Sequence, residues 1–250
     1  MIAVQVSNSI TEAPVVLKAV AAAGDSQVGP VSRGEIVVLT GSNLGPSQLS
    51  LANPKPARAF PFALSGTQVT FDWYPAPIIY TSSGAVAVVV PYEIAGQTAT
   101  SVSVRYQGSV SPPLVNTVAP TAPHFFTSAY TPKGQLVALN ADYSVNSASN
   151  PVAAGDVIVL WASGEGVVSR PGLDGSLVQS PLPQPLAGVT VNIGGQPANV
   201  LYAGGPPGSI EGLLQINARV PAGITAGSQV PVELTIGSAS APSGGTIAVR

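Results

Sequence analysis

The feature that most constrains the fold is a repeat inside the chain. Four blocks recur in the same order: residues 34–39 (GEIVVL) with 155–160 (GDVIVL), 75–80 (PAPIIY) with 197–202 (PANVLY), 90–91 (VP) with 220–221 (VP), and 102–111 (VSVRYQGSVS) with 232–240 (VELTIGSAS). Similar blocks in one order indicate a duplicated structural unit. The chain is therefore predicted to contain two copies of one domain.

Each copy consists of short apolar or alternating runs, separated by Gly, Pro, Asn and Ser about every 8–12 residues, which is typical of β-sandwiches. No segment keeps a helical period over ten or more residues. We predict an all-β fold in which two tandem Ig-like antiparallel β-sandwiches follow an N-terminal β-hairpin. The predicted boundaries are 1–23 for the hairpin, 24–120 for the first sandwich and 121–250 for the second, with an inserted hairpin near 134–147.

The composition excludes several classes of function. Charged residues make up 8% of the chain and the net charge is −2, so there is no basic face for nucleic acid. The absence of Cys excludes thiol catalysis and disulfides, and no apolar run is long enough for a transmembrane helix. A weakly charged surface also opposes self-association only weakly.

Several motifs together carry a resemblance to a known family. They are GEIVVLTGSNLGP, YPAPIIY, VVVPYEIAG, GQLVALNADYSVNSASNP, GDVIVLWASGEG, LLQINARVPAGI and the ending GGTIAVR. From about residue 25 to Arg250 the chain resembles an uncharacterised tandem Ig-like C-terminal region of large secreted acidobacterial proteins. More distantly, each half is similar to TIG/IPT-type Ig domains. The resemblance implies an Ig-like fold and export, and it implies no activity.

The opening stretch, residues 2–20 (IAVQVSNSITEAPVVLKAV), resembles the last two strands of each copy. A hairpin alone is at best marginally stable in water, so it must pack on something. Three explanations stay open: the chain is a fragment of a longer protein, the hairpin folds onto its own first domain, or it adds strands to a neighbouring molecule and builds a head-to-tail polymer. On the last explanation, the subunit interface is formed by six apolar side chains: Ile2, Val4, Val6, Ile10, Val15 and Leu17.

The residues suited to catalysis or metal binding are few. His124 is the single histidine, and we interpret it as an interdomain packing residue rather than a base or ligand. A pair of carboxylates such as Asp72 and Glu93 could serve glycoside hydrolysis only by facing one cleft. Oxygens around Asp142 in the inserted hairpin could hold Ca²⁺, although turn capping is the commoner role. We predict no catalytic residue, no metal and no cofactor.

Two aromatic residues are candidates for binding. Trp73 and Tyr74 correspond to Gly195 and Gln196 of the second copy, at a turn, so they are expected to be at least partly exposed. Exposed aromatics can mark a contact with a glycan or a partner. We therefore predict a non-enzymatic, extracellular or cell-surface structural protein, a subunit of a fibre or surface assembly. The alternative is an adhesion or glycan-binding module that uses Trp73 and Tyr74.

Overall fold

The computed structural model describes residues 13–55, 58–170 and 172–250. The first sandwich is built from ten strands and one short 3₁₀ helix. They are β1 (Val16–Ala22), β2 (Ile36–Ser42), β3 (Ser50–Leu51), β4 (Thr67–Phe71), β5 (Tyr74–Pro75), β6 (Ile78–Thr81), β7 (Ala85–Val89), η1 (Tyr92–Ile94), β8 (Ala99–Tyr106), β9 (Ser109–Val110) and β10 (Leu114–Thr117).

These strands form two antiparallel sheets, ordered β1-β2-β7-β6-β3 and β10-β8-β4-β5, with β9 paired to β8. The alternation in β8 explains how they pack: Thr100, Val102 and Val104 point inward and are buried, whereas the residues between them are not. Phe71, Leu39 and other fully buried side chains fill the space between the sheets. Burying each large apolar side chain contributes roughly 1.5–3 kcal/mol.

In the second sandwich, the described residues form another ten strands. They are β11 (His124–Phe125), β12 (Gly134–Gln135), β13 (Ala138–Asn140), β14 (Val157–Ser163), β15 (Val189–Ile193), β16 (Gln196–Gly204), β17 (Leu214–Arg219), β18 (Gly227–Ile236), β19 (Ala239–Ser240) and β20 (Gly245–Val249). Eight of them follow the continuous order β11-β14-β17-β16-β15-β18-β20-β12, while β13 pairs with β14 and β19 pairs with β18. A bridge between Thr127 and Leu136 joins the two ends of this order, so the strands enclose one core.

The structure gives both copies of the repeat the same turn before their longest buried strand. Gly34 and Gly155 have φ of 73° and 90°, a region that glycine adopts at little cost. The amide of Gly34 donates to Val90 O at 2.8 Å, and that of Gly155 donates to Val220 O at 2.9 Å. The repeat seen in the sequence is therefore a repeat of hydrogen bonds, and the predicted Ig-like all-β fold is confirmed.

The predicted subunit interface needs correction at Val15 and Leu17. Residues 16–22, which we assigned to the N-terminal hairpin, form β1, and β1 pairs antiparallel with β2 of the first sandwich. Val15 is 3% exposed and Leu17 is also buried, both in the core of this chain. This part of the segment therefore folds onto the chain's own first domain. The predicted interface residues Ile2, Val4, Val6 and Ile10 lie outside the described residues.

Within the described ranges, the structure contains no helix with the length and apolar character that crossing a bilayer requires.

Candidate functional site

The two sandwiches meet at a hydrogen-bonded junction. Ser163, at the end of β14, accepts a hydrogen bond from the amide of Ile36 at 2.8 Å and donates one to Gly212 O at 2.9 Å. The amide of Thr127 donates to Gly24 O of the first sandwich at 3.0 Å. Since Ser163 is fully enclosed, its hydroxyl ties the first strand of the repeat in one domain to a loop of the other.

The long connection between β14 and β15 extends the junction. Its backbone pairs with the segment between β3 and β4: the amide of Phe60 donates to Gly175 O at 2.8 Å, and that of Leu177 donates to Arg58 O at 2.9 Å. The Asp174 carboxylate accepts a hydrogen bond from the amide of Tyr92 at 3.2 Å. The second domain therefore contacts the first at the end of β14, at the loop after β1 and along this connection.

His124 lies at the junction, as expected of a packing residue, and it also makes a polar contact that the sequence did not indicate. Its Nδ1 is 3.0 and 2.9 Å from the two carboxylate oxygens of Asp25, in the loop after β1. Both side chains are buried. Hydrogen-bonded geometry of this kind satisfies two polar groups that would be costly to bury separately.

Two buried glutamates face each other across the junction. Glu35 precedes β2, and its Oε2 accepts a hydrogen bond from the amide of Ser32 at 2.8 Å. Glu165 follows β14, is 5% exposed, and its Oε2 has no hydrogen-bond partner among the described residues. Burial raises the pKa of Glu35 well above its ordinary value. Burial, together with the charge of Glu211, raises the pKa of Glu165 to about 8.

More acidic groups surround this pair. Glu211, before β17, is buried, and burial raises its pKa. Burial, then a hydrogen bond with Glu93, raises the pKa of Asp174 to about 7. Burial, with the charges of Glu165, Glu211 and Asp174, also raises the pKa of the Tyr92 hydroxyl. The junction therefore favours neutral carboxyl groups.

The glycines beside Glu165 explain how it comes to be buried. Gly164 and Gly166 have φ of 90° and 74°, and a Cβ on either would overlap a carbonyl oxygen of the interdomain linker, Ala122 O and Pro120 O respectively. The run SGEGV can approach the linker only because it lacks these side chains. Sequence reasoning missed Glu165, and the two flanking glycines were the signal that could have found it.

An aromatic cleft lies beside the junction, on the outer face of the second sandwich. It has a volume of about 390 Å³ and is lined by Phe126, Tyr130, Val137, Trp161 and Leu213, with Thr127 and Ser128. Its lining is mostly apolar with a few hydroxyl groups, which is the usual make-up of a small-ligand site. None of these residues was a candidate in the sequence analysis.

The predicted aromatic pair occupies the turn between β4 and β5. Trp73 is 77% exposed, as expected for a turn, whereas Tyr74 is partly buried and packs against the first core. Their ring centroids are 5.6 Å apart with planes tilted by 48°. The structure therefore presents one free aromatic face at this turn, that of Trp73.

The other chemical candidates have structural roles. The Asp72 carboxylate accepts hydrogen bonds from Thr100 Oγ1 and the amide of Ser101, both at 2.9 Å, while Glu93 pairs with Asp174 instead. Asp142 Oδ1 accepts from the amide of Ser144 at 3.0 Å and so caps its turn. The described residues contain no group of three or more His, Cys, Asp or Glu side chains suited to a metal ion.

Residues 25–117, which span most of the first sandwich, match the family model of the IPT/TIG domain. The expected similarity to TIG/IPT domains is confirmed over these residues, and this is a non-catalytic kind of domain. Comparison with curated proteins gives no match.

Three solved structures are similar to the chain. The full extracellular region of plexin A4 is 12% identical over 95% of this chain and 18% of that one, with a TM-score of 0.30. SGBP-B of the Bacteroides ovatus mixed-linkage glucan utilization locus, in complex with a mixed-linkage heptasaccharide, is 14% identical over 96% of this chain and 47% of that one, with a TM-score of 0.35. Domains 5–6 of the S-layer protein SbsC are 12% identical over 94% and 98%, with a TM-score of 0.25. The chain thus spans less than a fifth of the plexin structure and about half of SGBP-B.

Proposed function

We propose that the chain is a non-catalytic, extracellular structural module whose two sandwiches act as one rigid unit. The observation that carries this proposal is the enclosed hydroxyl of Ser163, which bridges the amide of Ile36 and the carbonyl of Gly212. Domains within a chain move relative to each other by default. Opening this junction would exchange these hydrogen bonds for hydrogen bonds to water, at a net cost of about 0.5–1.5 kcal/mol for each.

Gly212 offers a direct way to open the junction. It has φ of 95°, and a Cβ there would overlap Gly34 O of the first domain. Gly208 lies on the same connection with φ of 75°, but a Cβ there meets no described atom within 4 Å. Both Gly212→Ala and Gly208→Ala therefore place a side chain at positive φ, but only Gly212→Ala also creates a clash with the other domain.

Residual dipolar couplings of backbone amides in an aligned medium test the proposal. The wild type and Gly208→Ala should fit one alignment tensor across both sandwiches, whereas Gly212→Ala should need two. Two unrelated tensors in the wild type would show domains that move independently, and the proposal would then be wrong.

We also propose that the chain assembles head to tail, and the segment before β1 is the candidate link between subunits. Its apolar residues are spaced as in a strand that could be donated to another sheet: Ile2, Val4, Val6 and Ile10. A candidate acceptor is β10, which is the edge strand of its sheet and has Val115 exposed. Deleting residues 1–12 leaves β1 intact, so the deletion should remove polymers without unfolding the monomer. Sedimentation velocity measures this directly, and polymers unchanged by the deletion would exclude the segment as the link.

A second candidate function is glycan binding, and the aromatic cleft favours it. Phe126, Tyr130 and Trp161 line one concavity, and aromatic faces with nearby hydroxyl groups suit the apolar faces and hydroxyls of sugars. A glycan array followed by calorimetry should find a ligand that Trp161→Ala abolishes and Trp73→Ala leaves bound. Loss of binding with Trp73→Ala alone would move the site to the β4–β5 turn.

A further inference from the structure

The junction contains an unusual concentration of acidic side chains in a chain with few charges. Glu35 comes from the first domain, and Glu165 and Glu211 from the second, and all three are buried. The titratable or charged groups that face them, directly or through one neighbour, are Asp25 with His124, Arg33, Tyr92, Glu93 and Asp174.

The geometry fits neutral carboxyl groups better than carboxylates. Among the described residues, Glu165 Oε2 is enclosed without a hydrogen-bond partner, and so is the hydroxyl oxygen of Ser32, beside Glu35. The cost of burying an ionised carboxylate exceeds the stabilisation that the backbone of Gly164 and Glu165 gives to the charged form of Glu165. The positive charge of Arg33 lowers the pKa of Tyr92, and among the described residues Glu165 forms no salt bridge.

We propose that bound protons close the junction: Glu165 carries a proton while the two sandwiches are docked, and its ionisation releases the second sandwich from the first. The proposal rests on the proposed function, in which the docked sandwiches are the working unit. In this proposal, the extracellular pH regulates the docking of the two sandwiches.

The direction of the pH dependence follows from the carboxyl groups themselves. The pKa of Glu165 is raised to about 8 and that of Asp174 to about 7 in the docked state, while a carboxyl group in water titrates near pH 4–4.5. A raised pKa means that the docked state binds more protons, so docking is strongest at acidic pH and weakens as the pH rises. It should be weakest above about pH 8, where Glu165 is ionised in both states.

Interdomain distances measured by electron–electron resonance test this proposal. The chain has no Cys, so spin labels can be placed on two exposed loops with Ser47→Cys and Ala222→Cys. At pH 5 one narrow distance is expected, and a second, broader population should grow as the pH rises toward about 8, where the pKa of docked Glu165 lies. Glu165→Gln should keep the narrow distance up to pH 9.5, because its amide cannot ionise.

A matched control and a second variant keep the test decisive. Glu233→Gln changes an exposed glutamate outside the junction, so it should behave as the wild type. If Glu165→Gln does not fold, Glu211→Gln provides the alternative: without the charge of Glu211, the carboxyl carbon of Glu165 should titrate at a lower pH than in the wild type, as measured by ¹³C NMR.

The outcomes separate this inference from the proposed function. A narrow distance that persists to pH 9.5 in the wild type would overturn the proton proposal and leave the rigid unit intact. A broad distribution at pH 5 would overturn the rigid unit itself. Recovery of the narrow distance by millimolar Ca²⁺ at pH 9.5 would show that a cation, rather than protons, neutralises the cluster.

Discussion

The two copies of the repeat begin with the same turn, but only one of these turns is buried between the domains. In the first copy, Ser32 and Glu35 lie inside the junction, and the Glu35 carboxylate accepts from the amide of Ser32. In the second copy the corresponding residues are Ala153 and Asp156, and Asp156 is exposed. The local sequence thus determines the turn, whereas the position of the turn in the assembly determines what its acidic residue does.

The largest effects are expected where the two copies are most alike. Leu39 and Leu160 occupy equivalent, fully buried positions in the two cores. Replacing either with Ala should lower the free energy of unfolding by about 2–5 kcal/mol, because both transfer energy and a cavity are involved. Chemical denaturation measures both variants. If one leucine proved dispensable, the equivalence of the two cores would be broken.

A smaller effect should distinguish the two turns. Gly34→Ala and Gly155→Ala place a side chain at positive φ, which costs roughly 1–2 kcal/mol in each copy. At Gly34 the new Cβ also lies 2.9 Å from the Tyr92 ring, whereas at Gly155 it meets no described atom within 4 Å. Gly34→Ala should therefore be the more destabilising of the two in thermal unfolding. Equal melting temperatures would argue against close packing of the Tyr92 ring on the first turn.

The acidic residues of the two turns should differ in their response to pH. Burial raises the pKa of Glu35, so its protonated form stabilises the fold below about pH 4.5 and this contribution is lost as the pH rises. Glu35→Gln should weaken the dependence of stability on pH above about pH 4.5. Asp156→Asn changes the equivalent, exposed residue of the second copy and is the matched control. Parallel stability curves for wild type and Glu35→Gln would contradict this difference.

The smallest effect on stability is expected where the β4–β5 turn differs from the β15–β16 turn. Trp73, at the first of these turns, is 77% exposed, and substitutions at such positions usually change stability by less than about 0.5 kcal/mol. Trp73→Gly, which imitates Gly195 of the second copy, should therefore leave the melting temperature nearly unchanged. A large decrease would mean that Trp73 packs on a surface of its own protein.

The sequence predicts what is local and repeated, and it misses what depends on the docking of the domains. The alternating strands and the glycine turns follow from residue pattern alone, so the fold class was accessible. The interface assignment of Val15 and Leu17 was wrong because the same alternating pattern suits a strand of any sheet, and only the pairing of β1 with β2 decides which. Glu165 was missed because nothing near it in the sequence indicates that Glu35 and Glu211 will lie beside it.

The amide of Ile36 provides the most direct test of a closed junction, because its hydrogen-bond acceptor, Ser163 Oγ, belongs to the other domain. Hydrogen exchange at neutral pH should show this amide protected to a degree similar to the core amides of β2. Ser163→Ala should remove the protection of the Ile36 amide, while the other amides of β2 stay protected. Exchange of the Ile36 amide in the wild type at the rate of an exposed amide would contradict the account, since the two sandwiches would then not be held together as the structure has them.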